Sequence, residues 1–444
     1  MHKAGWKRWS TLALLGAGMM CAGCAMVVGG KQTTGEDRKG RWHGFDPCAF
    51  AVDGRDCRIV EPAHAVAGTP YGREYFRLRA GLDNSRVRFA REKQGRVAFL
   101  GGSITHNPGW RDMVMQDLER RFPETRFDFI NAGIPSMDST PGAFRLDRDV
   151  LSRGRVDLLF VEAAVNDSTN GRTDKEQVRG MEGIVRHARM ANPETDIVMM
   201  HFADPGKMQV INRGQTPKVI QNHERVAERY GVPSLDLALE VTERIRAREF
   251  TWEEDFRDLH PSPFGQEVYF RSIQRLLDAA WKKPLARNPR VRPHPLPAAP
   301  IDSKSYVQAR LVDVRDAQFG EGWRFEERWK PRDGAGTRAG FVDAPMLVAE
   351  APGATLTFSF EGTAVGIFVA AGPDAGIAEY SVDGGPFRER DLFTEWSAGL
   401  HLPWAQVLDA DLETGRHELT LRTANGKNPG SAGHAVRIAH LLVN

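Results

Sequence analysis

The chain has 444 residues, of which 41% are hydrophobic and 27% are charged, a balance typical of a soluble globular protein with two or three domains. Its formal net charge of +2 excludes the strongly basic surface that is typical of nucleic-acid-binding proteins. Since no H-E-x-x-H, P-loop or G-x-G-x-x-G motif occurs, we expect no metal, no cofactor and no nucleic-acid partner.

The first 23 residues have the three parts of an export signal. "MHKAGWKRW" is basic, "STLALLGAGMM" is apolar but too short to span a bilayer, and small residues precede Cys24. The pattern resembles a bacterial lipoprotein signal, in which the cysteine is lipidated and becomes the new N-terminus, although Cys21 stands where such signals usually have Leu. We predict a signal peptide over residues 1–23, lipidation of Cys24, and export to the periplasmic or outer-membrane side of the cell envelope. Contact with the membrane would be through the lipid anchor only, and plain secretion is the alternative.

The next two segments come before the first clear periodic pattern. Residues 24–40, which are polar from residue 31 onward, predict a flexible tether, and residues 41–94 predict an N-terminal extension. Cys48 and Cys57 flank "AFAVDGRD" within this extension. Because exported proteins fold in oxidising surroundings, a disulfide between them is one expectation, and two unpaired thiols are the other.

Short apolar runs alternate with helical segments over residues 95–282. The runs are "VAFL", "FDFI", "VDLLFVEA", "DIVMMHF" and "PSLDL". Strands without polar alternation are buried on both faces, so the pattern predicts a parallel sheet inside an α/β sandwich. Apolar residues recur at helical spacing over residues 178–188 and 219–230, and the last helix is predicted at about 264–281.

The pattern changes after the last predicted helix. Six prolines in residues 283–303 predict a stiff linker, and beyond it the apolar residues recur with a period of two. In "TLTFSF", Leu356, Phe358 and Phe360 alternate with polar residues, and "VDGGPF" is a hairpin signal. Residues 304–444 are therefore predicted to form a β-sandwich.

Four short clusters carry the residues that could do chemistry. "FLGGSIT" contains Ser103 directly after a strand and two glycines, "NAGIPS" contains Gly133, and "VEAAVND" contains Asn166. "RDLHPSPFG" contains His260 just before the last helix. The first three clusters follow parallel strands, whose carboxyl ends meet at the edge where open α/β sheets bind ligands. Ser103 is either a helix N-cap or a nucleophile, and a nucleophilic serine needs a base such as His260.

These four residues, in this order along the chain, resemble the motif residues of the SGNH/GDSL hydrolases, and the likeness covers residues 95–282. The resemblance implies a flavodoxin-like three-layer α/β/α sandwich and serine esterase chemistry. It assigns Ser103 as the nucleophile and His260 as the general base. It assigns the oxyanion hole to the backbone N–H groups of Ser103 and Gly133 and to the side-chain amide of Asn166. The C-terminal sandwich resembles the jelly-roll modules that accompany some carbohydrate esterases.

Three positions depart from the family pattern. Gly102 stands where the family often has Asp, and Ala164 stands where Gly is usual. The family's acid usually lies three residues before the histidine, and that position is Arg257 here. Asp258 is our first expectation for the catalytic acid, because residues i and i+2 of an extended loop point the same way. Asp255 is the second candidate, and a site without a side-chain acid is the third.

Together these features predict an exported serine esterase that removes short acyl groups, in particular acetyl, from carbohydrate through an acyl-enzyme. The expected partner is an acylated carbohydrate or another small ester. The alternatives are a lipase or thioesterase, an acetyltransferase with the same triad, and a non-catalytic carbohydrate-binding lipoprotein of the cell surface. In the β-sandwich, Trp396 and Trp404 either stack on sugar rings or pack against the protein itself.

Overall fold

The computed structural model describes residues 73–338 and 340–444. The predicted signal peptide, the tether and the cysteines Cys24, Cys48 and Cys57 lie outside these residues, so lipidation and the disulfide stay predictions. Within the described ranges, no helix is both long enough and apolar enough to span a bilayer.

In the described part of the chain, six strands form the sheet at the centre of the N-terminal domain. They are β1 (Phe76–Arg77), β2 (Gln94–Gly101), β3 (Arg126–Gly133), β4 (Leu158–Glu162), β5 (Asp196–Met200) and β6 (Ser234–Leu235). Their order is β1-β6-β5-β4-β2-β3, and all neighbours are parallel except β1, which is antiparallel to β6. The order of β2 to β6 is that of a flavodoxin-like sheet, as predicted. β1 belongs to the predicted extension 41–94, so the sheet begins earlier in the chain than residue 95.

Helices cover both faces of this sheet. Those in the described residues are α1 (Asp83–Val87), α2 (Ser103–His106), α3 (Trp110–Arg121), α4 (Ser139–Asp149), α5 (Ala164–Thr169), α6 (Asp174–Ala191), α7 (Pro205–Asn212), α8 (Lys218–Tyr230), α9 (Leu237–Arg246) and α10 (Pro263–Ala280). On one face, α4 and α6 pack against Leu100 and Val161. On the other face, α3 and α10 cover Phe99 and Phe160, whose rings stack with centroids 5.3 Å apart. The three-layer α/β/α sandwich is thereby confirmed.

Local sequence accounts for the two longest helices. α6 begins at a capping box, in which Thr173 and Glu176 each accept a hydrogen bond from the backbone N–H of the other. α10 begins at the N-cap Ser262, with Pro263 at its first position, where the missing N–H has no consequence. The apolar positions predicted for the face of α6 are all buried, namely Val178, Met181, Val185 and Ala188.

The C-terminal domain is built from two sheets. Its strands in the described residues are β7 (Arg310–Val312), β8 (Gln318–Phe319), β9 (Arg324–Trp329), β10 (Gly336–Thr337), β11 (Ala344–Ala349), β12 (Thr355–Gly362), β13 (Val365–Ala371), β14 (Ile377–Val382), β15 (Arg388–Asp391), β16 (Leu400–Asp409), β17 (Gly415–Thr423) and β18 (Val436–Val443). One sheet has the order β10-β16-β13-β18-β11-β9, with β7 also paired to β18, and the other has the order β15-β14-β17-β12-β8. Leu356, Phe358 and Phe360 are buried in the core between the sheets, which confirms the predicted β-sandwich.

The two domains share one apolar core. Tyr306 packs against Phe144 of α4 with ring centroids 5.2 Å apart, and the same cluster continues to the seven-stranded sheet. The predicted linker, residues 283–303, also contacts the α/β domain, since His294 Nε2 lies 2.7 Å from Asp196 Oδ1. The sandwich is therefore packed directly on the domain that carries the candidate site.

Candidate active site

The chain turns sharply after β2, and Ser103 is the first residue of α2. The two residues before Ser103 are glycines, and neighbouring side chains leave no room for a β-carbon at either position. A β-carbon on Gly101 would lie 2.5 Å from Glu162 Oε1, and a β-carbon on Gly102 would overlap Asn166 Oδ1. Because the first N–H groups of a helix have no intrahelical acceptor, the Ser103 N–H can bind an incoming oxygen. The turn therefore presents both the hydroxyl and the N–H of Ser103 at the carboxyl edge of the sheet.

His260 lies within hydrogen-bonding distance of this serine, with Ser103 Oγ 2.7 Å from His260 Nε2. The histidine follows a π-helical turn, Trp252–Phe256, and precedes α10. Phe256 is fully buried and packs edge-on against Tyr269, which anchors the loop on the core. The His260 side chain is 45% exposed, so a substrate can reach it. The predicted nucleophile and base are thus brought together in the geometry that serine activation needs.

The candidate acid Asp258 does not form the hydrogen bond to histidine that a catalytic triad has. Asp258 Oδ1 lies 3.6 Å from His260 Nδ1, beyond the limit of about 3.2 Å for a direct hydrogen bond. The same oxygen accepts a hydrogen bond from the His260 backbone N–H, and the Asp258 side chain is 66% exposed. Asp255 instead accepts hydrogen bonds from the N–H and hydroxyl of Thr251, at 2.7 and 3.1 Å. Of the two candidates, Asp258 is the one that lies beside the imidazole, at a distance that allows an electrostatic interaction but not a direct hydrogen bond.

The three predicted oxyanion-hole donors differ in whether they already donate a hydrogen bond within the protein. The Gly133 N–H donates to Asn131 Oδ1 at 3.0 Å, so this donor is already satisfied. A β-carbon on Gly133 would overlap the backbone N of His106, so close packing of α2 explains the glycine. The Asn166 side chain lies against the backbone next to Ser103 and makes no hydrogen bond to another described residue. The donors available without rearrangement are therefore the Ser103 N–H and the Asn166 amide.

Two buried charged residues bind the nucleophile turn from within the domain, and our reading of the sequence missed both. Glu162 Oε1 accepts hydrogen bonds from the Gly102 N–H at 2.7 Å and from the Thr105 hydroxyl at 3.1 Å. Arg145 donates to the Gly101 carbonyl at 3.1 Å. Burial raises the pKa of Glu162 to about 7, although its hydrogen bonds oppose the shift. The one signal in the sequence is an acidic residue at the end of the otherwise apolar run "LLFVE".

The aspartate that follows Asn166 is part of a buried network. Asp167 Oδ1 accepts hydrogen bonds from the N–H and hydroxyl of Ser139, at 3.0 and 2.8 Å. Its other oxygen lies 2.7 Å from His223 Nε2, and burial lowers the pKa of that histidine. All three side chains are fully buried. The network holds the start of α5 in place and so positions the side chain of Asn166.

The second domain contributes a charge to the site. Partial burial is the main cause of a lowered His260 pKa; the Asp258 carboxylate opposes this shift, and the Arg338 guanidinium adds to it. Arg338 belongs to the β-sandwich, where it directly follows β10. A lowered pKa keeps the imidazole neutral near neutral pH, which is the form that accepts a proton from serine.

One group in the described residues brings metal-ligand atoms close together. Asp333, Asp374 and His401 of the β-sandwich offer atoms within 4.8 Å of one another. Arg437 donates to both carboxylate oxygens of Asp374, at 2.7 and 2.6 Å, and His401 Nε2 lies 2.9 Å from Asp333 Oδ2. Because a metal ion would have to compete with the guanidinium, we interpret this group as an ion-pair cluster.

The two tryptophans singled out in the sequence have different surroundings. Trp404 lies in β16 and is 8% exposed, so it packs against the protein. Trp396 lies in a short 3₁₀ turn and is 57% exposed. Trp404 therefore fits the alternative in which the ring packs against the protein, whereas Trp396 is exposed, as stacking on a sugar ring requires.

Comparison with known protein families finds one that matches the region of the candidate site. The sequence model of the GDSL-like lipase/acylhydrolase family matches residues 99–268, a stretch that contains every candidate catalytic residue named above. A search of curated proteins finds no match to this chain.

Solved structures with both domains are also similar. A two-domain esterase (CEX) active on acetylated mannans, co-crystallised with mannopentaose, has a TM-score of 0.64 at 21% identity, over 79% of this chain and 90% of that chain. A second structure of such an esterase has the same TM-score and identity and covers 91% of its chain and 79% of this one. A variant of Axe2, an acetyl xylan esterase from Geobacillus stearothermophilus, has a TM-score of 0.35 at 19% identity, over 42% of this chain and 96% of its own. At these identities the similarity to the two-domain esterase is one of fold.

Proposed function

Because residues 99–268 form a domain of the GDSL-like lipase/acylhydrolase family, which makes the chain a serine ester hydrolase of the SGNH type, we propose that it removes acetyl groups from carbohydrate. The observation that carries the proposal is the distance of 2.7 Å between Ser103 Oγ and His260 Nε2 at the carboxyl edge of the sheet. The two-domain esterase with the same fold acts on acetylated mannans, and this supports an acetylated glycan as the substrate.

In the first half of the proposed reaction, Ser103 Oγ attacks the carbonyl carbon of the acetyl ester while His260 Nε2 takes the hydroxyl proton. The carbonyl oxygen becomes negatively charged and accepts hydrogen bonds from the Ser103 N–H and the Asn166 amide. Loss of one such donor typically costs about 3–4 kcal/mol of transition-state stabilisation. The imidazolium then protonates the sugar oxygen, the carbon–oxygen bond breaks, and the deacetylated sugar leaves an acetyl group on Ser103.

In the second half, His260 takes a proton from water, and the water oxygen attacks the acetyl carbon. The tetrahedral intermediate collapses to acetate, and the proton returns to Ser103 Oγ. Asp258, at 3.6 Å from His260 Nδ1, stabilises the positive imidazolium electrostatically in both halves. The Gly133 N–H would join the oxyanion donors once Asn131 releases it.

Acetate release from acetylated mannan by the full chain tests the proposal, together with p-nitrophenyl esters of increasing chain length. We expect acetate from the glycan and fastest turnover of the two-carbon ester, and Ser103→Ala is the control for adventitious hydrolysis. Preference for long-chain esters without acetate release would favour the lipase alternative. Transfer of acetyl to a second sugar, with little acetate formed, would favour the acetyltransferase.

We also propose that the protein is an exported lipoprotein, which the leader of residues 1–23 and Cys24 support. In a bacterium with lipoprotein processing, the wild type should fractionate with membranes and Cys24→Ser should be soluble. Several acyl chains are needed because a single chain anchors only marginally. A wild-type protein found wholly in the periplasm or medium would contradict lipidation.

A further inference from the structure

A cleft of about 460 Å³ lies between the two domains at the start of α6. One wall is formed by residues 170–173 and the first turns of α6, and the opposite wall by β16 and Arg390 of β15. None of the candidate catalytic residues lines this cleft, so it is distinct from the site at Ser103.

Three of the four cations that line the cleft are paired with carboxylates. Lys175 Nζ and Arg179 Nη2 each lie 2.8 Å from an oxygen of Asp411. Arg172 Nε lies 2.9 Å from Asp138 Oδ2. These pairs are satisfied without a ligand, and those of Asp411 join the two domains.

The fourth cation, Arg390, has no such partner. Its Nε is buried, and no hydrogen bond or ion pair joins its side chain to another described residue. Arg388 on the same strand is different, because it bonds Asp409 at 2.5 Å and its guanidinium lies over the Tyr380 ring. Since a partly buried guanidinium without an acceptor is costly, the cleft is complementary to an anion that accepts hydrogen bonds.

A second unsatisfied donor faces the same cleft. Tyr306 lines it and is fully buried, and its hydroxyl has no hydrogen-bond partner among the described residues. Glu176 and Arg172, which also line the cleft, act electrostatically on this hydroxyl, so it lies near them. Buried tyrosine hydroxyls usually have a partner.

The cleft lies close to the active site along the chain and at the same edge of the sheet. Asn170, which lines the cleft, is the C-cap of α5, and Asn166 lies one helical turn earlier. One turn corresponds to about 6 Å along the helix axis. Asn170 also donates to the carbonyl of Ser136, on the loop after β3. The cleft and Ser103 therefore lie on the same side of the sheet, and the proposal requires a glycan long enough to span both.

We propose that this cleft binds a carboxylate-bearing sugar unit, a uronic acid, on the same glycan whose acetyl ester is cleaved at Ser103. Arg390 binds the carboxylate, and the Tyr306 hydroxyl, which is buried in this structure, donates to a second oxygen of the same unit once a side chain of the cleft wall moves aside. A guanidinium matches a carboxylate in shape, since two parallel hydrogen bonds can form. The inference rests on the proposed carbohydrate function and deepens it, because it specifies an acidic glycan.

Calorimetric titration of the full chain tests the proposal with two disaccharide probes, aldobiouronic acid (glucuronic acid linked to xylose) and neutral xylobiose. We expect the wild type to bind the acidic disaccharide at least about tenfold more tightly, and added salt to weaken that binding. Arg390→Gln should lose this preference, whereas the matched control Arg388→Gln should keep it. Tyr306→Phe, which removes a hydroxyl without a partner in the protein, should weaken binding about threefold while leaving the fold intact.

Equal affinity of the wild type for the two disaccharides would overturn the proposal, and so would unchanged affinity of Arg390→Gln. Hydrolysis of p-nitrophenyl acetate reports on Ser103 separately, and Arg390→Gln should leave it within about twofold of the wild type. If the chain releases acetate from acetylated mannan but does not bind aldobiouronic acid, the cleft proposal alone is wrong. If it binds the acidic disaccharide but releases no acetate from any acetylated glycan, the proposed function is wrong and the sugar site remains.

Discussion

The two members of the proposed catalytic pair, Ser103 and His260, are held in opposite ways. Ser103 stands on a turn whose backbone is bound by the buried side chains of Glu162 and Arg145. His260 lies in an exposed loop, and Asp258, the carboxylate beside it, bonds the backbone of that loop. The core of the domain thus determines where the nucleophile lies, while local contacts and nearby charges determine where the base lies and when it is neutral. Mutations on the two sides should therefore have different signatures.

Removal of the nucleophile should have the largest effect. Ser103→Ala should lower kcat for p-nitrophenyl acetate by at least about 10⁴-fold, because nothing else in the site attacks the ester. The free energy of unfolding should change by no more than about 1 kcal/mol, since the one side-chain hydrogen bond of Ser103 to the part of the chain that the structure describes is with the exposed His260. Steady-state kinetics and thermal unfolding measure the two quantities, and near-normal turnover would contradict the serine mechanism.

Loss of the candidate acid in the loop that carries His260 should lower kcat by a moderate amount. Asp258→Asn should lower kcat about 10- to 100-fold, less than the roughly 10⁴-fold loss for a triad aspartate that is hydrogen-bonded to its histidine. The effect should be smaller because the carboxylate is exposed and lies 3.6 Å from Nδ1.

Asp255→Asn is the matched control for this loop. It should lower the thermal midpoint through Thr251 and change kcat by less than about threefold. The reverse order of the two kcat losses would assign Asp255 as the acid. A loss below about tenfold in both variants would instead show that serine and histidine work as a dyad.

On the side of the nucleophile turn, the free energy of unfolding should depend on pH because of Glu162. Its pKa in the folded protein is raised from 4.5 to about 7, so protonation stabilises the folded state. This stability is fully present below pH 4.5 and is lost as pH rises through about 7. Relative to Glu162→Gln, which keeps an acceptor for the Gly102 N–H, the wild type should lose up to about 3 kcal/mol of unfolding free energy over this range. Denaturant unfolding at several pH values measures it, with the surface variant Glu119→Gln as control, and parallel pH curves for wild type and Glu162→Gln would contradict the prediction.

The smallest expected effect concerns the charge that the β-sandwich contributes. The guanidinium of Arg338 lowers the His260 pKa, so Arg338→Gln should raise it. The acid limb of the kcat/KM profile should then move to higher pH, while the plateau at high pH stays close to that of the wild type. Arg332→Gln, in the loop before β10, changes a highly exposed arginine that faces Glu326 and should leave the limb in place. An unchanged limb in Arg338→Gln, or a shift to lower pH, would contradict the prediction that the cation acts on the base.

The position of Ser103 could be predicted from the sequence, but the buried groups that hold its turn and the charge near His260 could not. Runs such as "VAFL" and "LLFVE" are apolar throughout because both faces of a parallel strand are covered, so the sheet and the position of Ser103 at its edge follow from the pattern. Glu162 stands within the cluster "VEAAVND" but has no role assigned to it there, and Arg145 belongs to no motif. Their importance arises from the close approach of β4 and α4 to the turn. Arg338 lies in another domain and has no sequence signal toward His260.

The main strands and helices, their order and the chemical groups that follow each strand can be derived from the amino-acid sequence, because strand and helix periods depend on residues that are close in the chain. Three-dimensional packing was needed to show that Asp258 lies 3.6 Å from the imidazole, that Asn131 accepts the hydrogen bond of the Gly133 N–H, and that Trp404 is buried while Trp396 is exposed. These outcomes depend on how distant segments pack, and a difference of less than one ångström decides whether a hydrogen bond forms. A local pattern carries no information at that precision.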